Sequence, residues 1–440
     1  MKKVIVLITT ILVVFSSIAM TSYAKTENDI IANENIALWE EILDNLEEND
    51  YGGAYVQDGK LHIKTKDSET LQATLFEILP KARTSSNIII EDDAKYTLQE
   101  LNNASDKSME VWEELELDFV AVDEEYNALL VGAYEWTEEK KDTFMEAVGI
   151  KNVIFETVEP IEEQKIEYTS AKEEEQVTRD GTEMFIGKQA QNEDVKEKDG
   201  RPIVSTIGAC ILGNDDNFKK GFVTTAHTNI SNQPTAKGQN ISGTYNDMGN
   251  IGKIYDRIIS ASKGIDIAII EANREIKLNN EIYTEVSGKG AKSRGYLVGS
   301  RKPLKGYDCY IFPGFSNDKK DPYYDKIQVN INSINCKKYM TNPDDEGEHV
   351  FYNLLLLRTI DYKRTYSGDS GSTVAMKYDN NDNYELIGIY KGADVKPCGE
   401  EPSVYMECKA YSNSEDRTDY KYLFATNWQQ VEKHFNVRMY

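Results

Sequence analysis

The chain has 440 residues, is 40% hydrophobic and carries a formal net charge of −25. That length allows two or three domains with substantial cores. The absence of any basic stripe argues against nucleic acid as a partner. No paired Cys/His spacing suggests a zinc site, and neither a metal nor an organic cofactor is expected.

The chain opens MKKVIVLITTILVVFSSIAMTSYA. Two lysines, an apolar run and a small-residue end read as a secretory signal peptide over 1–24. No second apolar run is long enough to span a bilayer, so no membrane association is expected after cleavage. Residues 25–180 carry a net charge of about −26, and residues 181–440 about −1. The acidity belongs to the first half, which points to two parts.

Residues 25–156 read as an α+β region. The segment ENIALWEEILDNL has helical apolar spacing, and YGGAYVQDGKLHIKT reads as a hairpin turning at Asp58 and Gly59. The pattern partly recurs. VWEELELDFVAVDEEYNALLVGAY gives strand, turn and strand, and TEEKKDTFMEAVGI gives a helix. Two small α+β units are expected. Residues 157–182 are acidic, poor in apolar residues and without a period, which predicts an exposed linker where proteolytic processing concentrates.

Residues 183–440 change character. Short β-branched and aromatic runs alternate with Gly, Asn and Asp turns: STIGACILG, KGFVTTAHT, GIDIAII, KIQVNINSINC, NLLLLRTI, GSTVAMKY and YELIGIY. These predict a mostly antiparallel β domain, barrel or sandwich, ending in a helix over ATNWQQVEKHF. The five cysteines, 210, 309, 336, 398 and 408, all lie here. Cys398 with Cys408 and Cys309 with Cys336 are candidate pairs, and the odd count leaves at least one thiol over.

The stretch TYSGDSGSTV places Ser370 between Asp369 and Gly371. Serine becomes a nucleophile only when a base takes its proton and a third group holds that base. Of four histidines, His62, His349 and His434 read as surface or structural residues. His227 closes the apolar strand GFVTTAH, where a rigid element presents it at a domain edge. Asp266, an acid inside GIDIAII, would be costly to bury without a partner. Asp247 and Asp256 lie in more polar surroundings. The order His227, Asp266, Ser370 and the Ser372 that follows Gly371 both exclude the α/β-hydrolase pattern.

These motifs resemble the chymotrypsin-like serine peptidases, especially the bacterial streptogrisin and alpha-lytic type: TTAHT, DIAI and GDSGS over roughly residues 180–440. The resemblance implies an all-β two-barrel catalytic domain over 183–440. It implies Ser370 as nucleophile, His227 as general base, Asp266 as its holder, and the backbone N–H groups of Gly368 and Ser370 as oxyanion hole. Asp369 would be a buried acid. Thr228 stands where the family often has Cys, which leaves Cys210 without that partner, and Ser372 stands where it usually has Gly. Residues 301–350 match poorly and read as loop insertions. The first half resembles alpha-lytic-type pro-regions, which implies a zymogen whose pro-region is a cis partner, assisting folding and inhibiting.

The resemblance also places the specificity pocket at Arg364, Thr365 and Tyr366 on one wall and Tyr390, Lys391 and Gly392 on the other. Arg364 and Lys391 would favour an acidic substrate side chain. The implied protein is a secreted, extracellular endopeptidase acting on protein or peptide substrates. The alternatives are an inactive homologue that binds protein through the same cleft, and an adhesion protein whose first half carries the function.

Overall fold

The computed structural model describes residues 35–80, 85–158, 183–187, 189–196, 202–214, 216–227, 237–243, 250–286, 290–307, 309–313, 315–316, 326–342, 347–360, 370–393 and 422–440. The signal segment 1–24, residues 159–182 of the linker, and Cys398 and Cys408 lie outside the described residues. No described helix is long and apolar enough to cross a membrane.

The N-terminal part begins with a helix over 35–45. Ile36, Trp39 and Ile42 recur every three residues and are buried, so one face of the helix enters the core. Strands Gly53–Gln57 and Lys60–Lys64 form an antiparallel hairpin. Asp58 and Gly59 turn it with φ of 51° and 70°, the positive values a two-residue hairpin loop requires. Helix Ser68–Ile78 starts at Asp67, whose side chain accepts the Thr70 N–H. The chain then returns as strand Ile88–Glu91, parallel to Lys60–Lys64.

After helix Leu98–Lys107, opened by a reciprocal Thr97–Glu100 capping box, the same route is taken again. Strands Leu117–Asp123 and Ala128–Ala133 are antiparallel, helix Glu138–Val148 follows, and strand Val153–Thr157 lies parallel to Ala128–Ala133. The two ββαβ units therefore repeat in topology, although their sequences share little beyond apolar alternation and cap residues.

The C-terminal part contains two β systems. Six strands close into a ring: Asn383–Ala393, Thr373–Lys377, Cys309–Phe312, Ile327–Asn342, Gly347–Thr359 and Tyr422–Asn427, which pairs back to the first. Every pairing is antiparallel, and closure leaves no free edge in the ring. The second system is an eight-stranded sheet in the order Val437–Met439, Ala209–Gly213, Lys220–Thr224, Ile265–Ala272, Asn250–Ser260, Asn240–Gly243, Gln189–Lys196, Pro202–Thr206. Its end strands do not pair with each other among the described residues.

Residues 327–342 form a 16-residue strand that takes up the expected run KIQVNINSINC, in which IQVNIN alternates apolar and polar residues. Two sequence expectations are corrected. The terminal helix starts at Trp428, not 425. Residues 422–427 are claimed by the ring, and the Asn427 side chain caps the helix by accepting the Gln429 N–H. Cys309 and Cys336 do not form a disulfide. They sit on different strands, and each buried thiol donates to a nearby carbonyl, Tyr307 and Lys337 respectively.

The two parts are joined by a shared sheet. Phe119, Val120 and Ala121 pair antiparallel with Lys338, Lys337 and Cys336. An apolar cluster spans the junction, with Phe119, Ala121 and Leu130 on Cys336, Phe351, Leu354, Leu356, Tyr422 and Phe424. The charge asymmetry of the sequence is used here. Lys338 pairs with Asp118, Lys305 with Asp123, and Lys337 donates to Ser105 and Asp106 at 2.8 Å each.

Glu124, beside this junction, is buried and accepts the Ala54 N–H at 2.8 Å. Burial pushes its carboxyl up to about 7, with the Ala54 N–H and Lys305 opposing. A carboxyl whose folded value lies above its unfolded one stabilises the fold fully at acidic pH. That contribution is lost as pH rises through about 7. Unfolding free energy, measured by urea titration, should therefore fall between pH 5 and 8 by roughly 2–3 kcal/mol more in the native chain than in Glu124→Gln. Equal slopes would show that Glu124 is ionised in the folded protein.

Candidate active site

Strands Lys220–Thr224 and Ile265–Ala272 are antiparallel neighbours, with Thr224 opposite Ala268. Carried two residues further, that register sets Ala226 across from Asp266. The Asp266 carboxylate is buried and receives the turn that follows the first strand. Its Oδ1 accepts the backbone N–H groups of Ala226 and His227, both at 3.0 Å. Its Oδ2 lies 2.6 Å from His227 Nδ1. A carboxylate accepts, so Nδ1 carries the proton and Nε2 is left as the acceptor.

His227 Nε2 stands 3.1 Å from Ser370 Oγ. Ser370 comes from the other β system, just before strand Thr373–Lys377 of the ring. Its backbone is pinned across the seam: its carbonyl accepts the Thr206 N–H at 2.9 Å, and the Gly371 N–H donates to the Tyr390 carbonyl at 2.9 Å. Gly371 has φ of +95°, and a Cβ there would lie 2.2 Å from the Thr206 carbonyl oxygen. The glycine after the serine is therefore demanded both by its backbone conformation and by the close approach of the two sheets. The Ser370 hydroxyl also lies 3.3 Å from the Lys391 carbonyl oxygen.

Burial alone would raise the Asp266 carboxyl, but His227 and Lys391 hold it well below the usual carboxylate range. Lys391 Nζ donates to Asp266 Oδ2 at 2.9 Å. Burial lowers the lysine from its ordinary value, and the carboxylate opposes that change. The ammonium also stands 3.7 Å from the centroid of the Phe351 ring, a cation–π contact.

Two of the expected pocket residues, Tyr390 and Lys391, are buried rather than facing a cleft. Tyr390 is 2% exposed and packs in the apolar core. Lys391 is 5% exposed with its charge spent on Asp266. A buried carboxylate draws in a counter-charge, and this one takes the cation expected to face substrate. The acidic-substrate reading therefore loses one of its two cations. Gly392 is partly exposed, with no described atom within 4 Å of a Cβ built there. Arg364, Thr365, Tyr366, Gly368 and Asp369 lie outside the described residues.

The other candidates go elsewhere. His62 Nδ1 meets Glu91 at 2.8 Å in the N-terminal part. His434 is 3.3 Å from Lys263 on the terminal helix, and His349 lies on strand Gly347–Thr359. Asp256 accepts its neighbour Arg257's N–H, and Asp247 lies outside the described residues. Ser372 is fully buried, and its hydroxyl has no hydrogen-bond partner among the described residues. The Lys391–Asp266 pair was missed, yet the signal existed. A lysine within IGIYKG, like an acid within GIDIAII, needs an opposite charge if its strand is buried.

No protein-family profile and no curated protein matches the sequence. Among solved structures the chain is similar to a Nocardiopsis protease, with 13% identity and a TM-score of 0.36, covering 58% of this chain and 98% of that one. It is similar to a Cellulomonas bogoriensis chymotrypsin, with 15% identity and a TM-score of 0.35, covering 59% and 98%. A third is a glutamic-acid-specific serine protease, with 10% identity and a TM-score of 0.36, covering 58% and 100%.

Proposed function

We propose that the chain is a secreted serine endopeptidase made as a zymogen, with residues 183–440 as a chymotrypsin-like catalytic domain. One observation carries this reading: the hydrogen-bonded line from Asp266 through His227 to Ser370, at 2.6 and 3.1 Å. Ser370 Oγ attacks the scissile carbonyl carbon while His227 Nε2 takes its proton. The negative charge that develops on the carbonyl oxygen is received by the backbone N–H groups of Ser370 and Gly368. The imidazolium, held by Asp266, then protonates the leaving amine. Water attacks the acyl-enzyme with His227 again as base, releasing the acid and restoring the serine.

Residues 25–156 act as the pro-region. The support is the shared sheet at residues 119–121 and 336–338, with acids of the first part meeting lysines of the second. Processing falls within 157–182, the acidic linker.

The test is a fluorophosphonate probe on the purified secreted protein, read by intact mass beside Ser370→Ala. The expected result is one probe per native chain, none on the variant, and loss of the N-terminal part from the native protein alone. A folded, processed native chain that takes no probe would overturn the peptidase reading in favour of an inactive, protein-binding homologue.

A further inference from the structure

The buried Lys391 ammonium meets two groups among the described residues. One is Asp266 Oδ2 at 2.9 Å, and the other is the face of the Phe351 ring, whose centroid lies 3.7 Å away. Phe351 is itself fully buried, on strand Gly347–Thr359. Building on the peptidase reading, we propose that Phe351 is a positioning residue. Its ring face holds the Lys391 ammonium on Asp266, and so holds the Asp266 carboxylate on His227.

Phe351 is fixed from behind. Its strand is tied to the turn that leads into the Asp266 strand, because the Tyr352 N–H donates to the Ala261 carbonyl at 2.9 Å. The Tyr352 carbonyl also packs so close to Gly264 that a Cβ there would not fit. The ring belongs to the apolar cluster of Leu354, Leu356 and Phe424, against which Ile259 packs. Ile259 is in turn the register partner of Asp266. Ring and acid are thus anchored to one another through the backbone as well as through Lys391.

The physical argument concerns a buried charge with too few acceptors. An ammonium has three N–H donors, and a charge stripped of water is costly unless they meet negative charge. Asp266 has little more to offer. Its Oδ1 accepts the Ala226 and His227 N–H groups, and its Oδ2 already serves His227 Nδ1 at 2.6 Å. The negative face of an aromatic ring supplies the missing contact without competing for the carboxylate. An aliphatic side chain of similar bulk leaves those donors facing hydrocarbon, and the ammonium then pulls the shared oxygen away from the imidazole. Such a shift is felt at both ends of the line, because the Lys391 carbonyl oxygen lies 3.3 Å from Ser370 Oγ. Misplacement by about 1 Å in a catalytic line can cost about 10²-fold in rate.

The experiment uses the full chain. Phe351→Leu removes the ring and keeps an apolar side chain. A fluorinated phenylalanine placed at 351 keeps the shape of the ring and strips its face of negative charge, so a role in packing alone would not register it. In both, kcat on a peptide substrate and the rate of fluorophosphonate inactivation should fall about tenfold or more, with KM unchanged. In the Ser370→Ala background, the low-field NMR resonance of the His227 Nδ1 proton should move upfield in both as its bond to Asp266 lengthens. Urea titration checks that each variant is folded, and the fluorinated chain carries the test if Phe351→Leu is not. Activity and resonance unchanged by the fluorinated ring overturn the inference. So does an effect confined to KM, which would put the ring against substrate. If the resonance moves as expected but the native chain takes no probe, the role of Phe351 stands and the peptidase reading fails.

Discussion

Replacing Asp266 with Asn should lower kcat/KM by about 10⁴-fold at pH 7 if the proposed triad is the catalytic site. The reason lies in which atoms Asp266 presents. One oxygen holds the Ala226 and His227 backbone N–H groups, a role the Asn carbonyl can keep. The other position then becomes an NH₂ group facing His227 Nδ1. It can only donate, so the ring turns its proton to Nε2, where Ser370 needs an acceptor. The same NH₂ faces the Lys391 ammonium, donor against donor. The loss should shrink at alkaline pH, where serine deprotonation no longer depends on the ring. Steady-state hydrolysis of denatured casein across pH 5–10 measures both effects. Activity within tenfold of native at pH 7 would remove Asp266 from the site.

The second large effect falls on stability. Asp118→Ala should cost about 3–5 kcal/mol, because it leaves the Lys338 ammonium buried without its carboxylate. Both side chains are nearly inaccessible, at 5% and 6%. The pair sits where Phe119 joins Lys338 in the shared sheet, so its loss also loosens the junction. The double variant Asp118→Ala with Lys338→Met should recover most of the loss, since it removes the stranded charge and leaves apolar stem against Phe424. Urea titration in the Ser370→Ala background gives both values. A cost under about 1 kcal/mol for the single variant would mean that water reaches the junction.

A short list of residues made much of the molecule legible beforehand. The Asp58–Gly59 turn, the apolar and β-branched runs in the strands beside His227, Asp266 and Ser370, and the helical spacing of Ile36, Trp39 and Ile42 are local patterns. Each records a backbone geometry that its own side chains impose. The order of His227, Asp266 and Ser370 was also readable, because nucleophile, base and holder each need a particular residue type.

What the sequence by itself determined, then, was the set of elements and the chemistry available to them. Only the tertiary structure decided which elements meet. It closed one six-stranded ring, joined the N-terminal part to it through residues 119–121 and 336–338, and left Cys309 and Cys336 unbridged. It also turned Lys391 inward onto Asp266. The physical reason is common to these outcomes. Periodicity states that a side chain is buried, but the partner that compensates a buried charge is chosen by strand register over long sequence separations, 125 residues for Lys391 and Asp266.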